Sequence, residues 1–183
     1  MRVSLKTKII GLLLGLALAP ILKAADKFVT FNKEEGTLAL TTTQQPNFSI
    51  LCADEEHKGV LMAVRNLQED FFRVTNTRPY LKIGAKKQVD KGAQKLRILI
   101  GSFDKSPLIK QLVKAKKLDV RELKGKNEKF IITTVTNPIE GVEGEVLLIA
   151  GSDKRGTIYG IYELSCQIGI SPWYWWADVP VMK

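Results

Sequence analysis

Apolar and polar residues alternate from Phe28 to Leu40 on either side of Glu34-Glu35-Gly36, a spacing that predicts a β-hairpin. The run NFSILCA, residues 47–53, reads as a short buried strand. It delivers the chain to Asp54-Glu55-Glu56, acids suited to the positive end of a helix. From there Val60, Val64, Leu67, Phe71 and Val74 recur at intervals of four and three, with Arg65, Glu69 and Arg73 on other sides. That is one apolar stripe, and a helix carrying it must lie on a sheet. A lysine- and glycine-rich connection over residues 79–95 leaves room for a short strand at Tyr80 to Ile83. LRILIG, residues 96–101, is strand-like, and Ser106-Pro107 opens a short basic amphipathic helix from Leu108 to Leu118. KFIITTV is a strand by its β-branched content, and GVEGEVLLIAG is a turn followed by an apolar strand. Ile158, Ile161, Leu164, Ser165 and Ile168 mark a last helix, which Gly169 ends.

Strands alternating with helices after an opening pair of strands predict an α/β fold. The expected form is a two-layer sandwich with a mixed β-sheet and helices packed mainly on one face. One echo is visible along the chain: LRILIGSFDKSPLI and VLLIAGSDKRGTI both run apolar strand, Gly-Ser, Asp-Lys, helix. Two instances describe one strand-to-helix turn used twice, not a solenoid.

The N-terminus changes the picture of charge. Arg2, Lys6 and Lys8 precede an apolar run from Ile9 to Leu22, interrupted by Gly11, Gly15 and Pro20, which reads as an export signal. Cleavage near Ala24 is expected, with Ala17-Leu18-Ala19 as the competing site and an uncleaved anchor as the alternative. The expected division is therefore a signal peptide over residues 1–24 and one domain over 25–183, secreted or periplasmic, with no membrane partner after cleavage. Removing the signal takes away Arg2, Lys6, Lys8 and Lys23 and no acid, so the net charge of +9 falls to +5. The remaining lysines, from Lys86 to Lys126, have no interleaved aromatics and no nucleic-acid motif. They read as a solvated face, and no nucleic-acid partner is expected.

Candidate chemistry is sparse. Gly151 to Thr157 lies between a strand and a helix and has the G-x-x-x-x-G spacing of a phosphate loop, but Thr157 stands where the lysine should follow. A tight turn with Asp153 capping the helix is the plainer reading. His57 is the sole histidine, and its acidic neighbours at a helix start point in different directions, so neither a metal site nor a catalytic triad is expected. Asp153 with Asp178 is the carboxylate pair nearest to aromatics. Cys52 and Cys166 are the only cysteines, and pairing between them stays open.

All three tryptophans, Trp173, Trp175 and Trp176, fall in SPWYWWADVP with Tyr174 among them. Such a cluster serves either as a sugar-stacking surface or as the seam with another domain. The stretch IAGSDKRGTIYGIYELSCQIGISPWYWWADVPV, residues 149–181, resembles glycoside hydrolase family 115, the xylan α-1,2-glucuronidases. GVLMAVRNLQEDFFRVTNTRP, ILIGS and SPLIKQLVKAKKLDV resemble the same family more loosely. Cys166 departs from the pattern, standing where an acidic or polar residue is expected.

The resemblance implies the N-terminal accessory domain of an exported enzyme that removes glucuronic or 4-O-methylglucuronic acid from xylan. Its fold would be similar to the domains preceding the barrels of hexosaminidases and α-glucuronidases. It implies no cofactor, no metal and no catalytic residue in this chain, which is expected to be inactive alone. Its partners would be glucuronoxylan, through the complete enzyme, and a (β/α)8 catalytic barrel packed on Trp173, Tyr174, Trp175 and Trp176. Substrate-binding candidates are Asp153, Lys154 and Arg155 at the active-site mouth, where a guanidinium suits a uronate carboxylate, together with Trp175 and Trp176. The alternative is a free-standing carbohydrate-binding module that uses the Trp/Tyr cluster.

Overall fold

The long apolar runs become the strands of one five-stranded sheet. The structure, a computed structural model, describes residues 2–3, 27–32, 35–42, 47–84 and 95–171. In chain order its elements are β1 (Arg2–Val3), β2 (Val29–Thr30), β3 (Leu38–Ala39), β4 (Ser49–Cys52), α1 (Lys58–Thr75), β5 (Tyr80–Ile83) and β6 (Leu96–Ser102). Then follow α2 (Pro107–Lys114), β7 (Phe130–Thr136), β8 (Glu145–Gly151) and α3 (Lys154–Gln167).

The large sheet has the order β5-β4-β6-β8-β7. Its first four strands are parallel and β7 runs antiparallel to β8, so the sheet is mixed as the sequence predicts. Strands covered on both faces read as unbroken apolar runs. That is why SILC, LRILIGS and EVLLIAG lack alternation. Ile50, Cys52, Ile98, Ile100, Leu147 and Ile149 face one core with α1 and α3, while Leu51, Leu99, Leu148 and Ala150 face another with α2. Two of the three helices thus share one face. On the other, α2 is joined by Leu118, Leu123 and Val142 from the loops. The stripe on α1 delivers Val60, Val64, Leu67 and Phe71 to full burial, and Phe71 meets Phe48 edge to face at 5.1 Å.

Three expectations are corrected. Val29–Thr30 and Leu38–Ala39 do not form a hairpin with each other; each pairs antiparallel with Arg2–Val3, giving a small sheet of order β2-β1-β3. Alternation marks strands and not their partners, and here a third strand stands between the two. The acids Asp54 to Glu56 are not in the first turn of α1, which begins at Lys58 after His57. Glu56 turns inward instead, as described below.

The third correction concerns α2, which stops at Lys114 although the amphipathic pattern runs on to Leu118. Lys116 adopts a left-handed conformation, φ 56°, and the N–H of Lys117 bonds the carbonyl of Leu112 at 2.9 Å, closing the helix end. A lysine there carries a Cβ penalty that glycine avoids. Lys116→Gly is therefore expected to raise stability by about 0.5–1 kcal/mol in urea unfolding, net of the glycine's extra freedom in the unfolded chain. A lower midpoint would mean that the Lys116 side chain itself supports the fold.

Candidate functional site

Both copies of the strand-to-helix turn lie at the carboxyl ends of the parallel strands, and both glycines there are fixed by close approach. A Cβ on Gly101 would come within 2.6 Å of Ser106 Oγ and 2.8 Å of Ile109 Cγ1, and one on Gly151 would overlap the backbone of Thr157. The second turn is drawn tight by its own polar groups. Asp153 Oδ1 accepts from the N–H of Gly156 at 2.8 Å, capping α3 as the turn chemistry predicts, and Oδ2 accepts from the N–H of Glu128 at 2.8 Å. Thr157 Oγ1 donates to the Asp153 carbonyl at 2.8 Å. Ser152 exchanges bonds with Lys129: its N–H donates to the Lys129 carbonyl at 2.8 Å and its Oγ accepts from the Lys129 N–H at 3.1 Å. Gly156 and Gly160 let α3 settle on β7 and β8, for a Cβ on Gly156 would overlap the Lys129 carbonyl oxygen and one on Gly160 would lie 2.8 Å from Ile149 Cγ2.

The three charges of the loop therefore differ in what they are free to do. Partial burial pushes the Asp153 carboxyl up, but the N–H groups of Gly156, Glu128 and Arg155 and the Arg155 charge together outweigh it and hold the carboxyl below its ordinary range. Because the folded value is the lower one, this stabilisation is present above the usual aspartate range and is lost as pH falls through the lowered value. Arg155 Nη1 donates to Glu128 Oε1 at 2.6 Å in an exposed ion pair. Lys154, also exposed, has no ion-pair partner among the described residues and lays its stem toward Gly59 of α1. Trp175, Trp176, Trp173, Tyr174 and Asp178 lie outside the described residues.

A second constellation occupies the point where the sheet order reverses. From β4 the chain passes through α1 to β5 on one side, and the other parallel neighbour of β6 is β8 on the opposite side. Their carboxyl ends therefore flank a topological switch point, the usual ligand crevice of open α/β sheets. Glu56 reaches across it: one carboxylate oxygen accepts from the Ser102 N–H at 2.8 Å, and the Ser102 hydroxyl lies 2.9 and 3.0 Å from the two oxygens. Above them His57 Nε2 lies 3.1 Å from Asp104 Oδ2. Sequence reasoning missed Glu56, Ser102 and Asp104; the signal for two of them was the echo that aligns Gly101-Ser102 with Gly151-Ser152. The arrangement ties the segment between β4 and α1 to the end of β6. Among the described residues no three His, Cys, Asp or Glu side chains are grouped to hold a metal ion.

Both cysteines are free, Cys52 buried in β4 and Cys166 exposed on α3. Burial first, and the Glu56 charge second, push the Cys52 thiol up to about 12. A thiol reagent at pH 8 should therefore label one group quickly, Cys166, and reach Cys52 only on unfolding. Two equally fast groups would contradict this packing of β4.

What the domain's own packing leaves over is aromatic. Tyr159 and Tyr162 of α3 are 47% and 45% exposed and Met62 of α1 is 64% exposed, with the Asn66 amide donating to the Tyr162 hydroxyl at 2.9 Å. Within the same motif Gly156, Thr157, Gly160 and Ile161 are consumed by contact with the sheet, so the two tyrosines are the part of it that the fold does not explain.

No protein-family model matches the chain, and no curated protein does. Among solved structures, the chain is similar to a family GH115 4-O-methyl-alpha-glucuronidase, BtGH115A, with specificity for decorated arabinogalactans. The identity is 30% and the TM-score 0.54, over 74% of this chain and 15% of that one. CpGH84D is similar at 11% identity with a TM-score of 0.44, over 67% of this chain and 17% of that one. The chain thus spans a small part of the length of each.

Proposed function

We propose that the chain is the N-terminal accessory domain of an exported α-glucuronidase of the glycoside hydrolase family 115 type, acting on glucuronoxylan or a related uronate-decorated polysaccharide. The observation that carries the proposal is the likeness to a family GH115 enzyme at 30% identity, of which this chain spans only 15%. In this reading residues 1–24 are removed on export, which takes β1 from between β2 and β3, and hydrolysis belongs to a (β/α)8 barrel that follows in the complete enzyme. Trp173, Tyr174, Trp175 and Trp176 pack on that barrel. The half-exposed Tyr159 and Tyr162 favour a second polypeptide beside α3, because large aromatics concentrate where surfaces become desolvated.

The loop 153–155 then borders the mouth of the site. Lys154 is available to a uronate at once, whereas Arg155 must first leave Glu128, an exposed pair that water screens and that is easily given up. Asp153 holds the turn in shape and does not itself meet the carboxylate.

The test is release of uronic acid from glucuronoxylan by two proteins, the 183-residue chain and the same chain continued with the coding sequence that lies downstream of it. Activity only in the longer protein supports the reading. Respectable release by the shorter one, or a downstream frame encoding no glycosidase, overturns it. Sugar binding by the short chain that is abolished by Trp175→Ala or Trp176→Ala would favour the free-standing binding module.

A further inference from the structure

We propose that the solvent face of α2, with the turns on either side of it, is an electrostatic docking surface for the carboxylates of a uronate-bearing polysaccharide. The inference rests on the reading above for the nature of the polymer and adds a surface on the opposite side of the sheet from α3. Lys105, Lys110, Lys114, Lys116 and Lys117 are all exposed, and no acid intervenes between Lys105 and Leu118. Lys110 and Lys114 stand one helical turn apart, about 6 Å along the axis, opposite the face on which Leu108, Ile109 and Leu112 are buried.

Ion pairing within the fold does not account for this row. Lys105, Lys110, Lys114 and Lys116 have no ion-pair partner among the described residues, while the nearest acids are already engaged, Asp104 with His57 and Asp119 with Arg121. Lys117 donates to the carbonyl of Asn137, a neutral partner that leaves its charge in place. Like charges at i and i+4 repel on a helix surface. Lys105 precedes the positive end of α2, where a cation is unfavourable, whereas Lys114 in the last turn and Lys116 and Lys117 just beyond it lie at the negative end.

The surroundings select the kind of polyanion. Among the described residues the large exposed hydrophobic side chains are Phe31, Met62, Phe72, Tyr80, Phe130, Tyr159 and Tyr162, and none lies between residues 104 and 118. Among the described residues, the segment from 104 to 118 offers no exposed ring on which a nucleic-acid base could stack and no apolar wedge for a membrane surface. It offers charge alone, as compact lysine point charges and not as arginine forks, which suits carboxylates scattered along a polymer. The enzyme neighbour is a 4-O-methyl-alpha-glucuronidase with specificity for decorated arabinogalactans, and a glucuronic acid carries a carboxylate of this kind. Several weak contacts on one chain add through effective concentration, and each is screened by salt.

The experiment is affinity electrophoresis of the 183-residue chain through gels containing glucuronoxylan, the same polymer after carboxyl reduction, or RNA. Retardation is expected with glucuronoxylan only, and it should fade as salt shortens the screening length. Lys110→Gln with Lys114→Gln should weaken it by about fivefold or more, from the loss of two exposed charge contacts. Lys110→Arg with Lys114→Arg should restore it, and Lys58→Gln with Arg65→Gln, an equal loss of exposed charge on α1 across the sheet, should change it little. Equal retardation by the reduced polymer, equal weakening by both glutamine pairs, or tighter binding to RNA would each overturn the proposal. These results are separable from the parent reading. A downstream glycosidase frame with no effect of the α2 variants removes only the docking surface, and charge-dependent binding with no such frame removes only the parent enzyme.

Discussion

Alanine in place of Gly156 is expected to destabilise the domain by about 3 kcal/mol or more, a large share of the roughly 5–15 kcal/mol that holds a domain of this size together. The sign is the informative part. Gly156 lies in the first turn of α3 with a negative φ, a position at which alanine ordinarily gains up to about 1 kcal/mol in helix propensity. Here the added methyl would overlap the carbonyl oxygen of Lys129 and come 2.9 Å from its carbon. That oxygen is held by the N–H of Ser152 at 2.8 Å, so it has no slack. To make room, α3 must lift from the start of β7, and the Asp153 bridge between the N–H groups of Gly156 and Glu128 goes with it. Gly59→Ala is the matched control: it too is helical, but its Cβ would meet only Ile158 Cδ1 at 3.4 Å and Lys154 Cδ at 3.9 Å. Chemical denaturation of the two variants should move in opposite directions. Loss of less than about 1 kcal/mol from Gly156→Ala would mean that α3 does not lie on β7 as described.

The same residues show what the sequence discloses and what it withholds. The stripe from Val60 to Val74 and the runs LRILIG and EVLLIAG disclose α1, β6 and β8, because burial is periodic and periodicity is written in residue order. Order says nothing of partners, so Phe28 to Leu40 reads as a hairpin while its two strands pair with Arg2–Val3. The end of α2 is hidden because a lysine adopts the left-handed conformation that glycine or asparagine usually announces. Asp153 is legible as a cap since its partner is three residues away. Its other partner, the N–H of Glu128, is 25 residues away and is not. Gly151 and Gly156 look like turn glycines needing unusual dihedrals, yet neither has a positive φ; both are required by what packs against them. That distinction separates a nucleotide loop from a packing joint, and it can be drawn only once Lys129 and Thr157 are in place.

The joint at the switch point should respond nearly as strongly. Glu56 is 3% exposed and Ser102 is fully buried, 46 residues apart in the chain, and three contacts of 2.8 to 3.0 Å join them. Glu56→Ala leaves the Ser102 N–H and hydroxyl without a partner, at about 1–3 kcal/mol for each buried group so stranded, and opens a cavity under the His57–Asp104 contact. A loss of about 3–4 kcal/mol is expected in urea unfolding. Glu56→Gln preserves the shape and one acceptor and should lose roughly half as much. Ser102→Ala removes the hydroxyl but keeps the backbone donor, so combining it with Glu56→Ala should cost less than the two separately, by about 1 kcal/mol or more. The alternative is physically well founded, since a buried carboxylate can be a net burden that an uncharged replacement relieves. Glu56→Gln raising the unfolding midpoint, with strict additivity in the cycle, would show that the carboxylate is tolerated at this joint and does not hold β6 to the start of α1.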